Sequence, residues 1–120
     1  MVVPIFMGGI LRVGIRKVGN VTLVDLEGRL CLGEEGPFTQ AVTEQLAAGN
    51  RVFAFNLTEV PTIDSAGIGA MVRIHSMVAR AGGKSRFFGP SKMVLSTLKM
   101  VRLNTLLDLC DDEVTALSGL

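Results

Sequence analysis

Alternation of apolar and polar residues predicts two strands near the start of the chain. From residue 11 to residue 16 every second residue is aliphatic and the residues between are Arg or Gly. A second alternating run, with apolar residues at 21, 23, 24 and 26, ends at Gly28, and Gly19-Asn20 lies between the two runs. A period of two indicates a strand with one solvated face, and Gly-Asn is typical of a turn. We therefore expect an antiparallel hairpin whose first strand forms an exposed edge.

Helical spacing and short apolar runs alternate along the rest of the chain. The elements expected after the hairpin are a helix after Pro37, a strand at 52–57, a helix at 65–81, a strand at 85–88, a helix capped by Ser91, a strand at 106–109 and a helix after Asp111. This order, β-β-α-β-α-β-α-β-α with about four helices, predicts an α/β fold with a mostly parallel mixed sheet.

Composition limits the architecture to one domain. The chain has 120 residues, of which 48% are hydrophobic and 19% charged, so it has enough apolar surface for one core and is not disordered. Residues 1–9 carry no charge and no signal-peptide features, and we expect a short N-terminal tail there, followed by a single domain over 10–120. Charged residues interrupt every long apolar run, so no membrane span is predicted.

Charge and cysteine spacing argue against several classes of function. Twelve Lys and Arg against 11 Asp and Glu leave a formal charge of +1, and Trp and Tyr are absent, which disfavours nucleic-acid binding. Cys31 and Cys110 match no metal or redox spacing and are expected to behave as small buried hydrophobes in a reducing compartment. No metal or cofactor is predicted.

The sequence also offers no catalytic set. Its one histidine, His75, lies ten residues after Ser65 on the same predicted helix, about 15 Å away, so Ser65 lacks a general base. The glycine-rich stretches at 67–69 and 83–85 lack the further glycines that dinucleotide and phosphate loops require. A nucleotide-binding or hydrolytic enzyme is therefore disfavoured.

The segment Thr62–Ala70 joins a buried strand to a helix, which is where open α/β sheets place their sites. Asp64 and Ser65 are both favourable N-cap residues at the positive end of that helix. Gly67 and Gly69 follow, although glycine inside a helix costs about 0.5–1 kcal/mol relative to alanine. Two interpretations stay open: tight packing of the capped helix on the sheet, or close approach by another molecule's backbone.

Projection of this helix predicts a narrow polar face and a wide apolar arc of about 220°. The polar face comprises Ser65, Gly69, Arg73, Ser76 and Arg80. The arc is wider than a sheet alone covers, so part of it meets a neighbouring helix, which we favour, or an external partner. His75 falls inside the arc, where a hydrogen-bonded boundary histidine is commoner than a ligand.

The run VPTIDSAGIGAM at 60–71, set after the strand FAFNL and before a helix closed by Gly82-Gly83, resembles the signature of STAS domains, in particular bacterial anti-sigma factor antagonists. The likeness extends from about Leu11 to Leu117. It implies a cytoplasmic regulatory protein that is not an enzyme. Such a protein binds an anti-sigma factor that is also a serine kinase and thereby releases a sigma factor.

In this family the serine at the position of Ser65 is phosphorylated, which ends binding, and a PP2C-type phosphatase restores it. The residues that the resemblance assigns to the partner surface are Asp64, Ser65, Ala66, Gly67, Ile68, Gly69 and Arg73. A monomer or weak homodimer is expected. Asn56 stands where the family usually has Asp, and Cys31 stands where a polar residue is commoner. A scaffold or transport-accessory module of the same fold, without phosphorylation, is the alternative.

Overall fold

One mixed sheet of six strands runs through the computed structural model, which describes residues 3–8 and 11–120. The strands lie in chain order across the sheet. They are β1 (Val3–Gly8), β2 (Leu11–Val18), β3 (Val21–Glu27), β4 (Val52–Glu59), β5 (Lys84–Phe88) and β6 (Leu109–Cys110). The β1–β2 and β2–β3 pairs are antiparallel, and the pairs from β3 to β6 are parallel. The predicted α/β class with a mixed sheet is confirmed.

Helices cover both faces of this sheet. They are α1 (Gly36–Ala47), α2 (Ser65–Arg80), α3 (Lys92–Met100), α4 (Leu103–Leu106) and α5 (Glu113–Ser118). The larger core lies under α1, α2 and α3, where Phe38, Ile74 and Leu98 are fully buried. α5 covers the opposite face through Ala116, which packs with Leu23 of β3.

The strand predictions follow from which side chains the two faces bury. In β2 the side chains of Leu11, Val13 and Ile15 are buried and Arg12 is exposed, as the alternation predicts. In β4 the side chains of Phe53 and Phe55 belong to the core under α1–α3, whereas Ala54 belongs to the core under α5. β4 is therefore apolar on both faces because helices cover both.

The structure places a strand inside the predicted N-terminal tail. Val3–Gly8 forms β1, which pairs antiparallel with β2, so the exposed edge of the sheet is β1 and not β2. The apolar run at 3–7 shows no alternation, and Pro4 argues against a central strand. An edge strand tolerates proline because its outer N–H groups need no partner within the sheet.

The predicted strand at 106–109 is wrong in its boundaries. Leu106 ends the short helix α4, and the strand β6 consists of Leu109–Cys110. The segment 106–109 has three leucines and Asp108, which are too few residues to distinguish a helical turn from a strand. The structure has five helices in its described residues, where about four were predicted, because α4 adds one turn.

Two predicted helix boundaries are confirmed in detail. The Ser91 hydroxyl accepts a hydrogen bond from the Val94 N–H at 3.1 Å and caps α3. Pro37 lies in the first turn of α1, where its missing N–H costs no hydrogen bond.

Among the helices of the described residues, none combines the length and the apolar character that crossing a bilayer requires.

Candidate functional site

The N-terminus of α2 lies against the loop that joins β3 to α1, residues 28–35, called here the β3–α1 loop. Gly28 N–H donates to the Glu59 carbonyl at 3.0 Å, and Leu30 N–H donates to the Thr62 carbonyl at 3.2 Å. Leu30 and Ile63 also form an isolated parallel bridge. The loop therefore continues the β3–β4 pairing beyond the strand ends and is held against the start of α2.

Asp64 fixes both segments through its carboxylate. Oδ1 accepts a hydrogen bond from Gly67 N–H at 3.1 Å and caps α2, and Oδ2 accepts one from Leu32 N–H at 3.0 Å in the β3–α1 loop. These backbone donors, Leu32 first, lower the pKa of Asp64. Of the two candidate caps, Asp64 is the cap, and Ser65 is the first residue of the helix.

The two glycines of the first turns have different surroundings. A Cβ on Gly67 would lie 1.9 Å from the Leu30 carbonyl oxygen, so the backbone that approaches Gly67 closely belongs to this chain. Gly67 is buried. A Cβ on Gly69 would meet only the flexible end of Arg73, at 3.2 Å. Internal packing therefore explains the glycine at 67 and leaves the glycine at 69 unexplained.

The surface around this turn presents both polar and apolar groups. Ser65 and Arg73 are exposed, and Ala66, Ile68 and Gly69 are partly exposed. The Ser65 hydroxyl makes no hydrogen bond within the part of the chain that the structure describes. Of the predicted surface residues, only Gly67 is turned into the protein.

Leu32 belongs to the same surface and was missed by the sequence reasoning. Its side chain is 77% exposed, and its N–H donates to the carboxylate of Asp64, the residue before Ser65. The sequence signal is RLCLG in a predicted loop, where Leu30 is fully buried and Leu32 is not. A single exposed leucine is common at protein surfaces, so Leu32 is a candidate contact because Asp64 holds its backbone against α2 and not because of its exposure alone.

The remainder of α2 follows the predicted projection. Arg80 is exposed and Ser76 partly exposed, and α1 packs against α2, which agrees with neighbour packing of the apolar arc. His75 Nδ1 lies 3.0 Å from the buried Ser85 hydroxyl, as expected for a boundary histidine. The pair borders a pocket of about 230 Å³ at the edge of β5, and no third catalytic group bonds to either residue among those described.

Asn56 belongs to a polar network under α5. Its amide donates to Asp25 Oδ1 at 2.9 Å, and its carbonyl oxygen accepts from Thr58 N–H at 3.0 Å. Burial acts to raise the pKa of Asp25, but hydrogen bonds from Arg16 and Asn56 outweigh burial and lower that pKa. Arg16 also pairs with Glu113 of α5. Asn in place of the family's usual Asp at position 56 therefore changes this network. The side-chain hydrogen bonds of Asn56 do not reach the first turn of α2.

The two cysteines are free and partly buried. Burial, followed by the negative charge of Asp64, raises the pKa of the Cys31 thiol, and burial also raises the pKa of Cys110. A raised pKa keeps both thiols protonated at neutral pH, which disfavours reactivity. Within residues 3–8 and 11–120, no three His, Cys, Asp or Glu side chains gather as a metal site.

The fold and the N-terminus of α2 define a small α/β domain with a surface at the carboxyl edge of its sheet. The sequence model of the STAS domain matches residues 12–116. The chain therefore belongs to the STAS-domain family. No curated protein sequence matches it significantly.

Solved structures share this fold at low sequence identity. A putative anti-sigma factor antagonist from Thermotoga maritima gives a TM-score of 0.79 at 21% identity, over 88% of this chain and 91% of its own. The Bacillus cell fate determinant SpoIIAA in its phosphorylated form gives 0.68 at 15% identity, over 89% and 97%. The murine Slc26a9 anion transporter gives 0.75 at 13% identity, over 87% of this chain and 18% of the transporter.

Proposed function

We propose that this chain is an anti-sigma factor antagonist in which Ser65 is the phosphorylation switch. The observation that carries the proposal is the exposed, unbonded Ser65 hydroxyl at the first position of α2. The two hydrogen bonds that the Asp64 carboxylate accepts, from Gly67 and Leu32, hold this turn in place and are called here the Asp64 clamp. The family membership and the similarity to antagonist structures support it. The protein then acts in the cytoplasm as a kinase substrate, not as an enzyme.

The partner surface consists of the exposed and partly exposed residues around Ser65. Leu32, Ile68 and Ala66 supply apolar area, and Arg73 supplies a cation. Gly69 lets a partner approach the helix backbone closely, because no internal contact requires a glycine there. Gly67 and Asp64 act indirectly, by fixing the β3–α1 loop against α2.

A phosphoryl group on Ser65 changes the interface without unfolding the domain. It adds about −1.5 to −2 charge at the helix N-terminus, where the dipole favours anions. The Asp64 carboxylate is adjacent and ionised, so a partner covering the turn would bury two neighbouring negative charges. That desolvation and repulsion weaken association by several kcal/mol, and each 1.4 kcal/mol is about tenfold in affinity. Removal of the phosphate by a PP2C-type phosphatase restores binding.

The test is phosphorylation by the cognate anti-sigma factor kinase, followed by peptide mass spectrometry and affinity measurement. We expect one phosphate, on Ser65, and weaker kinase binding by Ser65→Asp. Ser76→Ala, on the same helix, is the matched control and should keep both phosphorylation and affinity. Phosphate at another residue, or equal affinity of the wild type and Ser65→Asp, would contradict the proposal.

A scaffold or transport-accessory module is the second candidate. The STAS fold also occurs within the murine Slc26a9 anion transporter, and this chain has Asn56 where the antagonist family usually has Asp. Such a module uses the same surface without a phosphate switch. Partner capture that requires Leu32 but is unchanged by both Ser65→Ala and Ser65→Asp would favour this candidate.

A further inference from the structure

Basic residues are concentrated in one part of the chain. Residues 65–107 contain seven Lys and Arg and no Asp or Glu, whereas the other five basic residues share the remaining sequence with all 11 acidic ones. This stretch forms α2, β5, α3 and α4. Its exposed cations are Arg73, Arg80, Lys84, Lys92, Lys99 and Arg102. In the described part of the chain, none of these six lies in a salt bridge.

α3 combines cations with exposed apolar side chains. Lys92 and Lys99 are seven residues apart, and so are Met93 and Met100, so each pair lies on one side of the helix about two turns apart. Met93 is 60% exposed and Met100 is 84% exposed. The helix faces the core through other residues, so these four side chains share its outer surface. Large apolar groups exposed in this way indicate an interaction surface.

Two further exposed apolar side chains follow at the junction of α3 and α4 and at the end of α4. Val101 is 50% exposed and Leu106 is 54% exposed. Arg102 has φ +60°, the one positive φ outside glycine among the described residues, at a position where helices usually end with glycine. Arg102 thus places a long cationic side chain at a position whose backbone conformation favours glycine. The α3–α4 face is defined here as Lys92, Met93, Lys99, Met100, Val101, Arg102 and Leu106.

We propose that the α3–α4 face binds the surface of an anionic lipid bilayer. Its cations match lipid phosphates, and its apolar side chains, which project beside those cations, enter the region between headgroups. A nucleic acid offers no apolar environment for the two methionines and Leu106. An acidic protein would need carboxylates matched to particular cations, whereas a lipid surface offers phosphates to all three cations of this face, Lys92, Lys99 and Arg102. The proposal is independent of phosphorylation at Ser65.

Flotation of the full chain with vesicles tests this inference. We expect binding to vesicles of phosphatidylcholine with phosphatidylglycerol and none to phosphatidylcholine alone. Binding should fall as the salt concentration rises from about 0.05 M to about 0.5 M, because salt screens the attraction. Failure to bind anionic vesicles at low salt would overturn the proposal, whatever Ser65 does.

Paired variants locate the binding surface. Each cation removed near a bilayer lowers partitioning about fivefold, so Lys92→Ala with Lys99→Ala should lower it about 25-fold. Arg12→Ala with Lys17→Ala on β2 is the matched control, because it changes the net charge equally on another part of the surface. Equal losses in the two pairs would show attraction by net charge alone and overturn the assignment.

The apolar contribution is tested with Met100→Ser, with thermal unfolding as the check on folding. This variant should bind anionic vesicles more weakly than the wild type. If Met100→Ser binds the vesicles as well as the wild type does, the apolar contact is absent and the proposal is wrong. Tighter binding of the face to duplex DNA or to an acidic protein than to the vesicles would overturn the proposal as well.

Discussion

The first turn of α2 and the α3–α4 face are both exposed, but they differ in how their groups are bonded. In the first turn of α2, both carboxylate oxygens of Asp64 accept backbone hydrogen bonds, and Gly67 packs on the Leu30 carbonyl. On the α3–α4 face, Lys92 and Lys99 have no salt bridge within the described residues, and Met100 is almost fully solvated.

This difference separates residues that shape a surface from residues that a partner touches. Groups already bonded inside the protein contribute to stability, and their replacement disturbs folding before it disturbs binding. Exposed groups without partners contribute little to stability, so their replacement acts on binding. The proposed docking functions rest on the second kind in both regions, namely Ser65 on α2 and the cations and methionines on α3 and α4.

The largest effect expected at the two compared surfaces is that of Gly67→Ala. The new Cβ would overlap the Leu30 carbonyl oxygen, and moving the β3–α1 loop away from α2 should cost about 3 kcal/mol of stability. Urea denaturation measures the loss. Gly69→Ala is the matched control and should stabilise the protein by about 0.5–1 kcal/mol, because only the end of Arg73 has to move. Equal effects at 67 and 69 would remove the distinction between the two glycines.

A second effect depends on pH. The pKa of Asp64 is lowered in the folded protein, so its anion stabilises the fold above the ordinary aspartate pKa of about 3.9, and this contribution is lost as pH falls through the folded value. Asp64→Asn should have a lower melting temperature than the wild type at neutral pH. The difference between the two melting temperatures should become smaller in acid. A gap of constant size from neutral pH to pH of about 3 would contradict the clamp.

A smaller effect of opposite sign is expected at Arg102. Replacement by glycine relieves the left-handed backbone conformation and should raise the free energy of unfolding by about 1 kcal/mol. Arg102→Ala keeps the strain and should leave stability nearly unchanged. If both variants gain equally, removal of the arginine side chain and not backbone relief is the cause. Arg102→Gly should therefore be more stable than the wild type but bind anionic vesicles less well.

The smallest effect is that of Met100→Ser on stability. The side chain is 84% exposed, so the change should stay within about 0.5 kcal/mol in chemical denaturation. Leu98→Ser, two residues earlier on the buried face of α3, is the contrasting variant and should lose several kcal/mol, because it exchanges a buried aliphatic group for a hydroxyl. A large loss at Met100 would mean that this methionine packs inside the protein and not on the proposed lipid-binding face.

Much of the fold was predictable because its signals are local. The alternation in β2, the Pro37 start of α1 and the Ser91 cap depend on residues within one or two turns of each other. β1 was not predictable in this way, and the strand predicted for the region of β6 had wrong boundaries. Residues 3–8 pair as an edge strand only because β2 lies beside them, and Leu109–Cys110 pair only where β5 leaves an edge open.

In the candidate site, too, some features follow from neighbouring residues and others depend on contacts between distant segments. The position of Ser65 at a strand-to-helix junction follows from the sequence, and so does the exposure of Arg73. The choice of Asp64 as the cap does not, because both Asp64 and Ser65 satisfy the local preference. It depends on Leu32, whose N–H meets the second carboxylate oxygen of Asp64 from 32 residues away in the chain.

By itself the sequence determined the order of β2 to β5 with α1, α2, α3 and α5, most of their boundaries and the segment that carries Ser65, because periodicity and capping act between near neighbours. Only the tertiary structure decided which glycine is fixed by packing, where Leu32 projects and which cations share the α3–α4 face. These features depend on distances between segments that are far apart in the chain, and such distances exist only once the sheet and its helices have assembled.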